Sequence, residues 1–128
     1  MKLIPTWVHG IMDYSMAVLF FALPFLFHWG GRATVILTLL AIGTVVYSLL
    51  TRYELGAIKM LPMRAHLGLD FLAGVVLVVL ALFLTPEPAG VRLALGVIGL
   101  IEIGAALLTE PESSVERRPD TGPRARGT

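Results

Sequence analysis

The sequence predicts an all-α fold: a polytopic membrane four-helix bundle made of two tandem parallel-repeat helical hairpins. Three observations carry that prediction. The 128-residue chain is 56% hydrophobic and 15% charged, with a mean hydropathy of +0.82, which is far from a soluble domain. Four of its apolar stretches match the roughly 17 to 25 helical residues that a hydrocarbon core requires. Finally, Pro5, His9, Asp13 and Tyr14 return 57 residues later as Pro62, His66, Asp70 and Phe71. Within lipid the backbone must satisfy its own hydrogen bonds, and the apolar–polar alternation of a membrane barrel is missing, so these stretches are expected as helices.

The first span is expected from His9 to Phe27. Pro5 suits a first helical turn, where a missing N–H does no harm. The apolar run is long for a signal peptide and no small-residue cleavage pattern follows, so the span is read as retained. Trp7 and Trp29, the latter beside His28, suit the two interfaces. Pro24 removes the donor to the Phe20 carbonyl and predicts a helix kink. The second span, Ala33 to Leu50, follows Gly30, Gly31 and Arg32. From Thr51 to Leu61, Tyr53, Leu55, Ile58 and Leu61 alternate with Arg52, Glu54 and Lys59, which predicts a short helix or turn on the membrane surface. The third span is expected from Ala65 to Thr85 and the fourth from Val91 to Leu108. Gly96, Gly99, Gly104, Ala105 and Ala106 give the fourth span a small-residue face for close packing, within the bundle or against a second copy or another membrane protein.

Residues 1–108 thus form the four-span domain, with repeat one at 1–51 and repeat two at 58–109. Leu49, Leu50 and Thr51 return as Leu107, Leu108 and Thr109, and Ala17 matches Gly74. The tail, 110–128, is rich in Pro, Gly, Ser and charge without an apolar period, and is expected to be disordered and cytoplasmic. Lys2, Arg52, Lys59, Arg64, Arg117, Arg118, Arg124 and Arg126 fall on the side of the termini, against Arg32 and Arg92 opposite. This bias places both termini inside, in a multi-pass protein of a bacterial inner membrane. The lipid bilayer is the expected partner and no nucleic-acid role is implied. The absence of cysteine removes thiolate metal sites and thiol chemistry.

The repeated motif is the candidate site. Residues four apart share a helix face, so His9 stacks with Asp13, and His66 with Asp70. Because the hairpins are parallel repeats, both pairs reach the same depth. Thr44, Tyr47 and Ser48 on the second span and Glu102 on the fourth are level with them, making a polar layer near the cytoplasmic side. Buried acids at this depth should face the interior and be paired or protonated.

Structural glue is the first reading of that layer, with imidazoles hydrogen-bonded to carboxylates and Arg64 reaching Glu102. The alternatives are a metal site at His9, Asp13, His66 and Asp70, and a proton or ion path. Haem between the two histidines is a further geometric option, but adjacent acids suit it poorly. Nucleotide motifs and nucleophile–base pairs are not apparent, so a non-enzymatic accessory or interaction role without a cofactor is the expectation.

Tandem two-helix units with a proline late in the first helix resemble the SPW-repeat family of small bacterial integral membrane proteins. The corresponding stretches here are Leu23, Pro24, Phe25 and Leu80, Ala81, Leu82. The resemblance implies a four-helix membrane fold and assigns no catalytic residue.

Overall fold

The computed structural model describes residues 2–83 and 88–118. Its long helices are α1 (Thr6–Leu26), α2 (Gly31–Leu50), α3 (Met63–Phe83) and α4 (Ala89–Leu108), and a single turn, α5 (Ser114–Arg117), follows. All four long helices have the length and hydropathy to cross a membrane, so this is a multi-pass membrane protein. All four helices start two or three residues before the expected spans; for α1 and α4 this is because Pro5 and Pro88 occupy N-caps with extended ψ and release helical geometry at the next residue.

Helices approach most closely within each hairpin, α1 with α2 and α3 with α4. The second hairpin is the tighter. A Cβ on Gly74 would meet the Gly99 carbonyl oxygen at 2.7 Å, and one on Gly99 would meet the Gly74 oxygen at 2.7 Å. At the matching positions of the first hairpin stand Ala17 and Ala41, both buried, whose methyl groups hold the backbones further apart. Lipid supplies no hydrophobic force between helices, so such close packing is a main source of association. Of the other small residues on α4, Gly96 lies beside Ala81 and Gly104 has open space, while Ala105 and Ala106 are buried.

Between the hairpins, side chains bridge the gap. Phe20, Leu37, Leu77, Val91, Leu95 and Ile98 make an apolar core in the half of the bundle away from the termini. The other half is polar. Pro24 is buried in the last turn of α1, two residues before the helix ends, so the donor it removes falls where the helix is finishing.

The two repeats are closed by matching backbone pairs. Ile4 bridges Thr109, and Leu61 bridges Thr51. The Ile4 amide donates to the Leu108 oxygen at 3.1 Å and the Leu61 amide to the Leu50 oxygen at 2.8 Å. These bridges collect residues 2–5, the 51–62 connection and the start of the tail at one end of the bundle.

Two expectations change at that end. The 51–61 connection forms the turns that were expected, without a helix, but it does not lie on the surface throughout. Instead of floating on the surface, Tyr53 is fully buried and lies against Gly10, whose missing side chain makes room for the ring. The tail, expected to be disordered from 110, is ordered through residue 118. Ser113 caps α5 in a reciprocal box with Glu116, and its hydroxyl donates to the Arg52 oxygen. Ser114 donates to Glu54 Oε1 at 2.6 Å, and Glu116 accepts from the Met63 amide at 3.0 Å. A capping box, two side-chain bonds to the connection and one to the first residue of α3 fix a stretch whose composition alone suggests disorder. The remaining tail residues, 119–128, lie outside the described residues.

Candidate metal centre

Pro5 and Pro62 start α1 and α3 in the same way: His9 N donates to Pro5 O at 3.1 Å, and His66 N to Pro62 O at 3.1 Å. Each histidine therefore enters in the first turn, with its aspartate one turn deeper on the same face. All four side chains are buried, and His66 and Asp70 are completely so. The pairs that share a helix also converge across the hairpins. His9 Nε2 lies 2.9 Å from Asp70 Oδ2 and 3.3 Å from Asp13 Oδ1. His66 Nε2 lies 3.1 Å from Asp13 Oδ2 and 3.1 Å from Asp70 Oδ2. One ligand-type atom from each of the four residues fits within 4.8 Å of all the others.

Two threonines fix which imidazole nitrogen carries hydrogen. The Thr109 hydroxyl donates its single proton to the Ala105 oxygen at 2.6 Å, so at 2.9 Å from His9 Nδ1 it can only accept. Nδ1 of His9 is therefore N–H. In the other repeat Thr51 donates to the Tyr47 oxygen at 2.7 Å and accepts from His66 Nδ1 at 2.8 Å. Each hydroxyl ends one hairpin and orients the histidine of the other. Both Nε2 atoms are left pointing at the carboxylates.

The carboxylates are also held from behind. Tyr47 donates to Asp70 Oδ1 at 2.5 Å, and Thr44 in turn lies 3.4 Å from the Tyr47 hydroxyl. Asp13 Oδ2 accepts from Ser48 at 3.3 Å and from Tyr53 at 3.3 Å. Burial, and then the nearby Asp13 carboxylate, push the Tyr53 hydroxyl above its ordinary range, which keeps it a donor. Glu102, although nine-tenths buried at the same level, makes no hydrogen bond or ion pair among the described residues. The expected Arg64–Glu102 contact does not form: Arg64 lies outside the bundle and pairs with Glu112 at 2.6 Å.

The central atoms, two imidazole nitrogens and three carboxylate oxygens, are all of ligand type. Around a four-coordinate Zn²⁺ with ligands at about 2.0–2.1 Å, neighbouring donors stand roughly 3.3–3.4 Å apart. The His–Asp separations, which involve both Asp13 oxygens, run from 2.9 to 3.3 Å, close to those edges, and one donor from each residue lies within 4.8 Å of the rest, so the widest pairs draw in when an ion binds. A haem does not fit between the histidines, whose rings meet edge to face with centroids 5.3 Å apart.

His9, Asp13, His66, Asp70, Tyr47 and Ser48 are thus brought together as the sequence suggested. Three participants were not foreseen: Thr51, Thr109 and Tyr53. The threonines carried a visible signal, since each follows a Leu-Leu pair at the end of its repeat.

The helices and the cluster together make this a multi-pass helical membrane protein with a buried two-histidine, two-aspartate cluster shared by two hairpins. The chain matches no protein-family model, no curated protein and no solved structure.

Proposed function

We propose that this protein binds one divalent first-row transition metal, zinc foremost, through His9 Nε2, His66 Nε2, Asp13 and Asp70, at the cytoplasmic end of a bacterial inner-membrane bundle. One observation carries the reading: His66 Nε2 is buried, faces two carboxylates at 3.1 Å, and has no partner in hydrogen-bonding geometry. A proton on that nitrogen would be held by charge alone, off the hydrogen-bond direction of both carboxylates. If it bears a lone pair, it and the carboxylate oxygens all point at one place where only a cation is favourable.

Charge bookkeeping agrees. Two neutral imidazoles, two carboxylates and a divalent ion sum to zero, which suits a site within a bundle where net charge is expensive. Imidazole with carboxylate suits Zn²⁺ and Fe²⁺ better than the oxygen-loving Mg²⁺ or Ca²⁺. Thr51 and Thr109 supply the outer hydrogen bonds that set the tautomer of metal-ligating histidines. The ion would join α1 to α3 and so lock the hairpins together, which keeps the structural role of the layer and assigns it a ligand. A path across the membrane is not favoured, because the opposite half of the bundle is filled by the apolar core. Cytoplasmic placement rests on the sorted cations.

The test is metal analysis of protein purified in detergent without chelator, beside His9→Ala/His66→Ala. The expected result is near-stoichiometric metal in the native protein and little in the variant. Equal, trace metal in both would leave a purely hydrogen-bonded layer.

A further inference from the structure

The two sides of the cluster differ in a way that the repeat makes measurable. Thr51 and Thr109 occupy equivalent places, each bonded to the carbonyl four residues back and to a histidine of the other hairpin. That register matches Thr44 with Glu102, Tyr47 with Ala105, and Ser48 with Ala106. On the α2 side, Tyr47 and Ser48 close over the carboxylates with their hydroxyls. On the α4 side the methyl group of Ala105 stops short, and a small, partly enclosed cavity of about 10 Å³ remains, bordered by His9, Asp13, Met16, Glu102 and Ala105. Roughly this much volume is the minimum for one water, which also needs two to four polar partners. Glu102 supplies one, being nine-tenths buried and without a hydrogen bond among the described residues.

We infer that the α4 face is an open coordination position, where one water or a ligand of similar size binds the metal and donates a hydrogen bond to Glu102. This rests on the metal reading above and goes further, because closed four-ligand sites are structural while an additional solvent position marks sites that exchange ligands or act on them. Glu102 is then a positioning residue for the incoming ligand and not itself a metal ligand. Its place at the position equivalent to Thr44 is one of the points where the second hairpin departs from the first, the Gly74–Gly99 contact being another.

The experiment loads the full chain in detergent with cobalt(II) alone and compares its electron paramagnetic resonance signal in ordinary water and in ¹⁷O-enriched water. The native protein is expected to show ¹⁷O broadening. Ala105→Leu, which fills the cavity without touching a donor, should keep one cobalt per chain and lose the broadening; Glu102→Leu should do the same. Cobalt bound without broadening in the native protein overturns the open face while leaving the metal site intact. Loss of cobalt from Glu102→Leu, with folding kept by circular dichroism, overturns the positioning role and makes Glu102 a ligand. Failure of native protein to bind cobalt rejects the metal reading itself. Should Ala105→Leu fail to fold, the native signal and Glu102→Leu decide the matter.

Discussion

Replacing Thr51 or Thr109 by valine removes a hydroxyl while keeping the shape of the side chain, and it tests whether the site is built as two crossed halves. Each hydroxyl accepts a buried imidazole N–H, at 2.8 Å from His66 and 2.9 Å from His9. Both threonines are fully buried, so water cannot replace the lost acceptor. Leaving such a donor unsatisfied costs about 1–3 kcal/mol. At about 1.4 kcal/mol per tenfold, that is roughly tenfold to a hundredfold in affinity, the range known for outer-shell partners of metal-bound histidine. The assay is competition for zinc against a chromophoric chelator in detergent. Because the geometry is the same in both repeats, Thr51→Val and Thr109→Val should weaken binding to a similar degree. The double variant should lose less than the product of the two, since both act on one ion. Unchanged affinity in either single variant would refute the assignment of the Nδ1 hydrogens and the inference drawn from it about Nε2.

Two further outcomes follow from the packing. Gly74→Ala places a methyl group 2.7 Å from the Gly99 oxygen, so α3 and α4 must separate; a loss of about 1–3 kcal/mol is expected, read as a lower melting temperature in detergent, whereas Ala17→Gly in the first hairpin should cost less. At the membrane surface, burial raises the Glu54 carboxyl, but hydrogen bonds from Ser114 and Thr6 outweigh it and hold the group below its ordinary value of 4.5. A carboxyl lowered in the folded state stabilises above its unfolded pKa, and that contribution is lost as pH falls through the folded one. Residues 110–118 should therefore loosen in acid below about pH 4.5, seen as faster hydrogen exchange at the Ser114 amide after correction for intrinsic rates; equal protection at pH 7 and pH 3.5 would count against the Glu54 anchor.

The helices were legible because a span needs only length and hydropathy, and the repeat of Pro, His and Asp already placed two polar pairs at equal depth. Convergence of the pairs was not. An i, i+4 pattern shows that His9 and Asp13 share a face, but it is silent on Asp70, 61 residues away in sequence from His9. The same holds for Thr109, 100 residues from the histidine it orients. Its repeat with Thr51 was readable, yet the crossing of each threonine to the other hairpin depends on the Ile4–Thr109 and Thr51–Leu61 bridges. Tyr53 misled because alternation with charged neighbours resembles a surface strip, while Gly10 opens a space that draws the ring inward. The Arg64–Glu102 pairing failed for a related reason: Arg64 sits at the exposed start of α3, where Glu112 of the folded-back tail is nearer. Composition alone could not show that the tail would fold back.

X-ray absorption at the zinc edge of the zinc-loaded protein reads the donor atoms around the ion. One zinc per chain is expected, bound only by nitrogen and oxygen donors, with the multiple scattering of two imidazoles, reduced to one imidazole in His66→Ala. Zinc that shows no imidazole scattering, or that is absent after gel filtration from protein at full occupancy of the fold, would contradict it.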